Sequence, residues 1–367
     1  MTVNRKYDVI VVGAGPGGSL ASLLCAQAGF KTLMIEKKRL PRDKVCSGMV
    51  MGAWAKNLIE EHFGTIPEEI LTQPKYLSGN MFHVPGMQPK SLEWHTPIAW
   101  RLDLDSWLTE KAVAEDVDVW DRTRLVSVLN TNGKVNLSID RGNASVELEC
   151  SHMIGADGAA SRTRKCLFPK LSVKYTTPLR ECYRGALDLK KDYIHWFFPK
   201  LQPRPRFNVN HKGEVFLIEG SGIKELRPEI NTILAQYGFD PNKKPVWRDG
   251  CVEPVLHEAL ISGSFVPVKG NVLLVGDAAG LILPITFEGI GTALKSGKMA
   301  AEAIKAVSNK KKETADQYLE KIQPIVQAIG HLVHVNKKAE KEAAGNKEKI
   351  LDALVRAYEE TLKLQQP

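Results

Sequence analysis

The chain has 367 residues, 43% of them hydrophobic and 25% charged, which is an ordinary composition for a globular protein. This length is enough for two domains, and no apolar run reaches the roughly 18–20 residues that a membrane span needs. The net charge of +8 is spread along the chain without a basic patch interleaved with aromatic residues, so no nucleic-acid binding is predicted. A diffuse positive field suits an anionic small molecule or weak attraction to anionic lipid.

The cysteines indicate a reducing compartment. None forms a CxxC pair or another metal-ligand spacing, so no metal site is predicted and free thiols are favoured. Residues 1–15 combine bases with an apolar stretch, but the stretch is too short for a signal peptide and runs into glycines. The sequence therefore predicts no targeting segment and a cytoplasmic protein. The six cysteines are Cys25, Cys46, Cys150, Cys166, Cys182 and Cys251.

The N-terminal segment predicts a strand, a turn, a helix and a second strand. Tyr7–Val12 is a β-branched run typical of a buried parallel strand, and Ser19–Ala28 is a helix that ends at Gly29. Lys31–Ile35 is the next strand. A unit this compact implies a parallel, doubly wound sheet. Further along, the pattern predicts a helix over 103–114, a hairpin-rich meander over 123–149, strands over 182–218, a buried strand over 271–275, a helix over 289–307 and charged helices from 309 onward.

The turn Gly13-Ala14-Gly15-Pro16-Gly17-Gly18 fits GxGxxG in the context that a dinucleotide-binding unit requires. Gly13 permits the tight turn, Gly15 lets the backbone approach a pyrophosphate at the helix N-terminus, and Gly18 lets the helix pack on the strand. Glu36 ends the next strand, where its carboxylate can accept hydrogen bonds from an adenosine ribose. The motif alone does not separate FAD from NAD.

Two later segments complete the pattern. Gly155–Arg164 is the first, and Gly276-Asp277-Ala278-Ala279-Gly280, followed by Pro284 and Gly289-Ile290-Gly291, is the second. Asp277 follows a buried strand, so its carboxylate should face the crevice where ligands bind in such sheets and could bind a polyol. The amides that open the helix at Gly289 can meet a second anionic or electron-rich group.

Together these three segments resemble the group of FAD enzymes that includes para-hydroxybenzoate hydroxylase and the geranylgeranyl reductases, over about residues 5–305. The resemblance implies that the first segment holds the ADP half of FAD, that Asp277 binds ribityl, and that Gly289–Gly291 lie along the isoalloxazine ring. It also implies that Arg101 contacts the middle of the cofactor. The implied FAD-binding residues are Gly13, Gly15, Pro16, Gly17, Gly18, Glu36, Lys37, Arg42, Cys46, Ser47, Gly48, Arg101, Asp157, Gly158, Gly276, Asp277, Pro284, Gly289, Ile290 and Gly291.

Within this group the details resemble the geranylgeranyl reductases. Gly280 follows Gly276–Ala279 where aromatic hydroxylases usually carry His, and Arg42–Gly48 resembles the Cys-Gly-Gly loop of the reductases, with Ser47 replacing the first Gly. The segment 193–200 resembles their aromatic-Phe-Pro substrate motif, with shifted spacing. The Trp-x-Trp-x-Ile-Pro motif of flavin halogenases does not occur in the sequence. The implied substrate-pocket residues are Tyr193, Trp196, Phe198 and Pro199.

The implied architecture is α/β: a Rossmann-type doubly wound FAD-binding domain with an inserted β-sheet substrate domain and C-terminal helices. We expect the FAD-binding domain over 1–75, 97–180 and 265–308, the substrate domain over 76–96 and 181–264, and the helical region over 309–367. Two C-terminal helices, Ile322–Val333 and Ile350–Leu364, mix apolar stripes with charges. They could lie on a membrane surface or pack against the body of the protein.

Candidate catalytic residues follow from the chemistry of a flavin reductase, which passes a hydride to one carbon and a proton to its neighbour. Cys46 could supply that proton or could be a small buried hydrophobe. His195 could be an acid or a structural histidine in an aromatic strand. Glu288 could face the pocket or cap the helix that follows.

The resulting prediction is an FAD-dependent reductase of carbon–carbon double bonds in an apolar, isoprenoid-like substrate. The alternatives are a flavin monooxygenase acting on an aromatic or other organic substrate and a flavoprotein that carries electrons or assists maturation of a partner. No second Rossmann fingerprint is present, so the electron donor is either NAD(P)H bound transiently or a redox protein.

Overall fold

The computed structural model describes residues 5–50, 52–131, 133–200, 205–307, 313–343 and 346–365. Its strands are β1 (Arg5–Val12), β2 (Thr32–Ile35), β3 (Leu71–His83), β4 (Lys90–Ala99), β5 (Asp118–Trp120), β6 (Thr123–Thr131), β7 (Lys134–Arg141), β8 (Ala144–Gly155), β9 (Lys174–Thr176), β10 (Leu179–Arg184), β11 (Tyr193–Phe197), β12 (Phe207–Lys212), β13 (Val215–Gly220), β14 (Trp247–Gly250), β15 (Glu253–Val255), β16 (Val268–Lys269) and β17 (Val272–Leu274). Its helices are α1 (Pro16–Gln27), α2 (Gly52–Phe63), α3 (Arg101–Ala114), α4 (Arg162–Leu167), α5 (Arg227–Ala235), α6 (His257–Ile261), α7 (Ile290–Val307), α8 (Thr314–Ala343) and α9 (Lys347–Lys363).

The first sheet is the parallel, doubly wound sheet that the sequence predicts. Strand β1 pairs in parallel with β2 on one side and with β8 on the other, and the parallel pairing continues to β5 and to β17. The side chains of 9–12 are almost fully buried, as a strand covered on both faces requires. The predicted meander over 123–149 is also confirmed, because β6, β7 and β8 form successive antiparallel pairs.

Helices α1 and α7 cross closely on this sheet because their contact consists of glycine and alanine. A Cβ atom on Gly17 would lie 2.6 Å from the carbonyl oxygen of Ala293, and one on Gly297 would collide with the carbonyl oxygen of Gly17. Helix α1 begins at Pro16, three residues before the predicted start, since proline is favoured in the first turn of a helix. The close crossing brings the start of α7 beside the glycine-rich turn.

The second sheet has the strand order β14-β10-β13-β12-β11-β3-β4. Its two faces differ because side chains alternate along each strand. In β12, Phe207 and Val209 join an apolar core beneath α5, whereas Asn208 and Asn210 lie on the opposite face. The sequence predicts neither β3 and β4 as strands nor α2 and α5 as helices. The predicted limits of the substrate domain, 76–96 and 181–264, remain a proposal.

The C-terminal helices pack against the rest of the protein. Ile350, Leu354 and Tyr358 of α9 are buried, and the Tyr358 ring meets Phe82 at 5.0 Å and Trp196 at 5.5 Å between ring centroids. Helix α8 is longer than the predicted 322–333 segment, and the predicted boundary at 308/309 lies outside the described residues. Within the described ranges, no helix combines the length and apolar character needed to cross a membrane.

The contact between α1 and α7 gives the first prediction. Replacing Gly297 by Ala places a Cβ against the carbonyl oxygen of Gly17, and overpacking of this kind costs about 1–3 kcal/mol. We expect Gly297→Ala to lower the free energy of unfolding in urea denaturation. Gly330→Ala in α8 is the matched control, because the nearest atom to its added Cβ lies at an ordinary 3.8 Å. That variant should gain up to about 1 kcal/mol from helix propensity. Equal effects of the two substitutions would contradict the close crossing.

Candidate cofactor and active site

A cavity of about 470 Å³ is lined by residues of both sheets and of the loops between them. All three predicted nucleotide-binding segments contribute to its wall, although they are far apart in the sequence. The predicted residues Gly18, Gly48, Pro284 and Gly291 do not line it. Those that do are Gly13, Gly15, Pro16, Gly17, Glu36, Lys37, Arg42, Cys46, Ser47, Arg101, Asp157, Gly158, Gly276, Asp277, Gly289 and Ile290.

The glycine-rich turn leaves open space in front of helix α1. A Cβ atom on Gly15 would have as its nearest neighbours two guanidinium nitrogens, Arg42 Nη2 at 3.7 Å and Arg101 Nη2 at 4.0 Å. The N-terminus of α1 adds its partial positive charge at the same place. The backbone at Gly15, the helix end and two cations together have the chemistry that could hold a pyrophosphate.

Asp105 holds both guanidinium groups in place. Its carboxylate accepts hydrogen bonds from Arg101 Nε at 2.7 Å, from Arg101 Nη2 at 2.8 Å and from Arg42 Nη1 at 2.7 Å. Burial alone would raise the pKa of Asp105, but the two arginines lower it. Taken alone, Arg42, Arg101 and Asp105 carry one net positive charge beside Gly15, and Glu36, whose carboxylate lies 3.3 Å from Arg42 Nε, balances it. The sequence analysis missed Asp105, because the helix was predicted to begin at residue 103, whereas α3 begins at Arg101 and so places Asp105 one turn after it.

Glu36 is 5% exposed and lines the cavity where the second strand ends. Its Oε2 accepts a hydrogen bond from the amide of Ala14 at 3.2 Å and its Oε1 from the amide of Lys38 at 3.0 Å. Arg42 Nε lies 3.3 Å from Oε2. The carboxylate is thus fixed at the edge of the glycine-rich turn, with lone pairs left for a ribose hydroxyl.

The second segment is tied to the third by a buried arginine. Asp157 accepts hydrogen bonds from the Ser161 hydroxyl at 2.5 Å and the Thr163 amide at 2.9 Å, so its carboxylate shapes the start of α4 as well as the cavity wall. Arg164 then donates to the carbonyl oxygens of Asp277 at 3.1 Å and Ala278 at 2.8 Å.

The third segment presents Asp277 next to the start of α7. Its Oδ2 pairs with Lys44 Nζ at 3.1 Å, and its Oδ1 lies 3.0 Å from the position of a Cβ on Gly289. Glu288 caps α7, because its Oε1 accepts the amide of Gly291 at 2.6 Å. Burial raises the pKa of Glu288 to about 7. Since the Gly291 amide is engaged by Glu288, it is not available to a cofactor in this arrangement.

The loop that carries Cys46 is anchored to the second sheet by Arg180. This 2% exposed arginine donates to the carbonyl oxygen of Cys46 at 3.0 Å and binds Asp249 through two hydrogen bonds of 2.9 and 2.7 Å. The Cys46 thiol lines the cavity and accepts the amide of Gly48 at 3.4 Å. Gly48 has φ +74° and a Cβ there would collide with the carbonyl oxygen of Ala99, so glycine is required in this loop.

Only Trp196 of the predicted aromatic motif reaches the cavity. Its indole donates to Asn80 at 2.9 Å, and the Arg206 guanidinium lies 5.2 Å from the ring centroid. Tyr193 instead donates to Glu93 at 2.5 Å, while Phe198 is fully buried in the main core. Pro199 is also outside the lining.

His195 faces away from the cavity because it alternates with Trp196 along β11. Its Nε2 lies 2.9 Å from the carbonyl oxygen of Lys190 and its Nδ1 lies 3.0 Å from His83 Nε2. Burial lowers the pKa of His195 and lowers that of His83 to about 3, so the pair is neutral at physiological pH. The structure does not bring His195 to the place where the predicted chemistry would occur.

Three polar side chains of the second sheet line the cavity and were not singled out from the sequence. They are Arg180, Asn208 and Glu219, which lie side by side on strands β10, β12 and β13. Period-2 alternation in 207–212 places Asn208 on the same face as Asn210, but the sequence does not indicate which face meets the cavity.

The fold and this cavity are those of a dinucleotide-binding protein, and comparison with known proteins specifies the class. Residues 8–161 match the family model described as FAD dependent oxidoreductase. A digeranylgeranylglycerophospholipid reductase of Methanosphaera stadtmanae is 29% identical, over 98% of this chain and 89% of that protein. A reductase of the same name from Thermoplasma acidophilum is 27% identical, over 96% and 91%. The crystal structure of a geranylgeranyl bacteriochlorophyll reductase-like protein from T. acidophilum has the same fold, with a TM-score of 0.76, 24% identity and 98% coverage of both chains.

The chain is therefore an FAD-dependent oxidoreductase. Within that class it is similar, along nearly its whole length, to the geranylgeranyl reductases, which confirms the resemblance predicted from the sequence. The residues fit FAD. The wall at Gly15 has open space for a pyrophosphate beside two guanidinium groups, and the amide of Ala14 holds the Glu36 carboxylate at the edge of the same glycine-rich turn.

Glu36 provides a test of the adenosine end. A charge-assisted hydrogen bond of the kind that Glu36 can accept is worth roughly 1.5–3 kcal/mol, so Glu36→Ala should weaken FAD binding about ten-fold or more. FAD affinity is measured by titrating the flavin-free protein and following flavin fluorescence. Glu36→Gln is the matched control and should retain more affinity, because the amide oxygen still accepts. An unchanged FAD affinity of Glu36→Ala would show that the ribose lies elsewhere.

Proposed function

We propose that this flavoenzyme reduces carbon–carbon double bonds of an isoprenoid chain by hydride transfer from FAD. The observation that carries the proposal is that Cys46 from a loop, Asp277 from the turn after β17 and Trp196 from β11 of the second sheet line one cavity. The similarity to reductases named for geranylgeranyl lipids supports this substrate class.

FAD would be held along the cavity by the residues predicted to bind it. Glu36 would accept hydrogen bonds from the adenosine ribose, while Gly15, Arg42 and Arg101 would surround the pyrophosphate. Asp277 would bind the ribityl chain, and the start of α7 would face the ring. When bound, FAD supplies the hydride, and the protein supplies position, electrostatics and exclusion of water.

Part of the cavity wall would suit an apolar chain next to that ring. Its wall includes several apolar side chains contributed by the Cys46 loop, the second sheet and the segment before α7. An isolated alkene is not activated by its own substituents, so a dry pocket and a positioned proton donor are required. The apolar residues of this wall are Val45, Met49, Trp196, Ile282 and Phe287.

The electron donor and the cellular location belong to the same proposal. The donor is NAD(P)H bound transiently or a redox protein, because the sequence has no second dinucleotide fingerprint. We place the protein in the cytoplasm, with transient contact to a membrane surface that would deliver a lipid substrate. The apolar sides of α8 and α9 are buried in the protein, so that contact would use another surface.

Anaerobic reoxidation tests the proposal and separates its alternatives. The protein is reduced with dithionite without oxygen and mixed with geranylgeranyl diphosphate, a digeranylgeranyl lipid or 4-hydroxybenzoate, while the flavin absorbance is followed. We expect a prenyl compound to reoxidise the flavin without oxygen. A monooxygenase would instead need oxygen and would form a flavin–oxygen adduct in the presence of the aromatic compound. Reoxidation only by a partner protein would contradict the proposal and support an electron carrier.

A further inference from the structure

Glu219 is a buried carboxyl group in the wall of the cavity that no part of the predicted chemistry uses. It lies on β13, directly across from Arg180 of β10 and from Asn208 of β12, and all three side chains line the cavity. Only 9% of Glu219 is exposed. It therefore lies on the same wall as Trp196, on the face of the second sheet where a substrate would lie.

The pKa of Glu219 is raised above its ordinary value, toward the neutral form. Burial raises the pKa of Glu219 and Asp249 of β14 adds to the increase, whereas Lys212, Arg180 and the hydrogen bond from Asn210 lower it. The charge of Arg180 is already engaged by Asp249 through two hydrogen bonds. The Asn210 amide donates to Glu219 Oε2 at 3.0 Å and so fixes the orientation of the carboxyl group.

Lys212 is a second buried titratable side chain on the same face of this sheet. It lies on the same strand face as Asn208 and Asn210, is 2% exposed, and donates to the carbonyl oxygen of Ala99 at 3.2 Å. Burial lowers the pKa of Lys212 to about 8, while the nearby Glu219 and Cys46 oppose the decrease. The charge of Lys212 stabilises the carboxylate form of Glu219, which is the form that proton donation leaves.

The geometry at Cys46 differs in the direction of its hydrogen bonds. The thiol sulfur accepts a hydrogen bond from the amide of Gly48. It also interacts with the guanidinium of Arg101, which can only donate hydrogen bonds. Both of these neighbours use the sulfur as a hydrogen-bond acceptor, whereas a protonated Glu219 has a proton to give.

We propose that Glu219 is the catalytic acid that protonates the substrate double bond. This inference rests on the proposed reduction of an alkene. The hydride from reduced FAD would form a C–H bond at one alkene carbon, the π electrons would form a C–H bond with the proton of Glu219 at the neighbouring carbon, and the flavin would be left oxidised. Glu219 is left as a carboxylate beside Lys212 and Arg180 and regains its proton from solvent.

The test compares Glu219→Gln with the parent in anaerobic stopped-flow reoxidation by geranylgeranyl diphosphate. Flavin content should be unchanged, and the reoxidation rate should fall about 10²–10⁴-fold, the usual contribution of a positioned acid. In the parent the rate should fall as pH rises through the pKa of Glu219, because the carboxylate has no proton to donate. Glu219→Gln should lose this pH dependence, and Glu219→Asp should recover part of the rate. Glu181→Gln, a buried carboxyl group on the opposite face of the sheet, is the matched control and should keep the pH profile of the parent.

Infrared spectroscopy provides a readout that does not depend on turnover. The parent spectrum minus that of Glu219→Gln should contain the carbonyl band of a protonated carboxyl group at neutral pH, and this band should shift in D2O. The inference is overturned if that band is missing, or if Glu219→Gln turns over like the parent while Cys46→Ser loses the pH-dependent step. A parent protein that no prenyl compound reoxidises would instead refute the proposed function, whatever the infrared spectrum shows.

Discussion

The whole site depends on the close backbone contacts of the Gly13–Gly18 turn. Gly13 touches the backbone at Ala156, Gly18 touches the carbonyl oxygen of Gly13, and Gly17 lies against Ala293 of α7. None of these positions has room for a side chain. Three segments separated by more than a hundred residues are therefore held at one edge of the parallel sheet, where ligands bind in such folds. The cavity exists because these contacts are made by backbone alone.

A second constraint joins the Cys46 loop to the second sheet. Arg180 binds Asp249 of the neighbouring strand and donates to the carbonyl oxygen of Cys46, so the loop and this sheet are fixed to each other. The guanidinium is buried and all its contacts are charge-assisted, which makes the connection strong and specific. Through it, Cys46 and Glu219 are kept on the wall of the same cavity. Truncating Arg180 would leave Asp249 with an uncompensated charge as well as freeing the loop.

The sequence predicts the first sheet well because local patterns determine it. The apolar run of β1, the glycines after it and the acidic end of β2 lie within a single strand–helix–strand unit, where each residue has one role. The turn at Gly276–Asp277 is equally local, because it follows a buried strand.

The residues of the second sheet that face the cavity could not be predicted in the same way. A strand such as β11 shows alternation but does not reveal which face will meet the cavity, so Trp196 and His195 look equally suitable in the sequence. Their different surroundings are set only when β11 pairs with β12 and with β3, which lies more than a hundred residues earlier in the chain. Glu219 was missed for the same reason, since its neighbours Arg180 and Asn210 come from other strands. Gly291 has the right residue type, but the cap from Glu288 occupies its amide.

The most direct test of a flavin-dependent alkene reduction is to follow the hydrogen atoms into the product. The protein is reduced with dithionite in D2O, incubated anaerobically with geranylgeranyl diphosphate, and the product is analysed by mass spectrometry and NMR. The hydrogen on reduced flavin exchanges with solvent, so the hydride and the proton should both arrive as deuterium. The account predicts one deuterium on each carbon of a former double bond. Recovery of unlabelled substrate, or a product that has gained an oxygen atom once air is admitted, would contradict it.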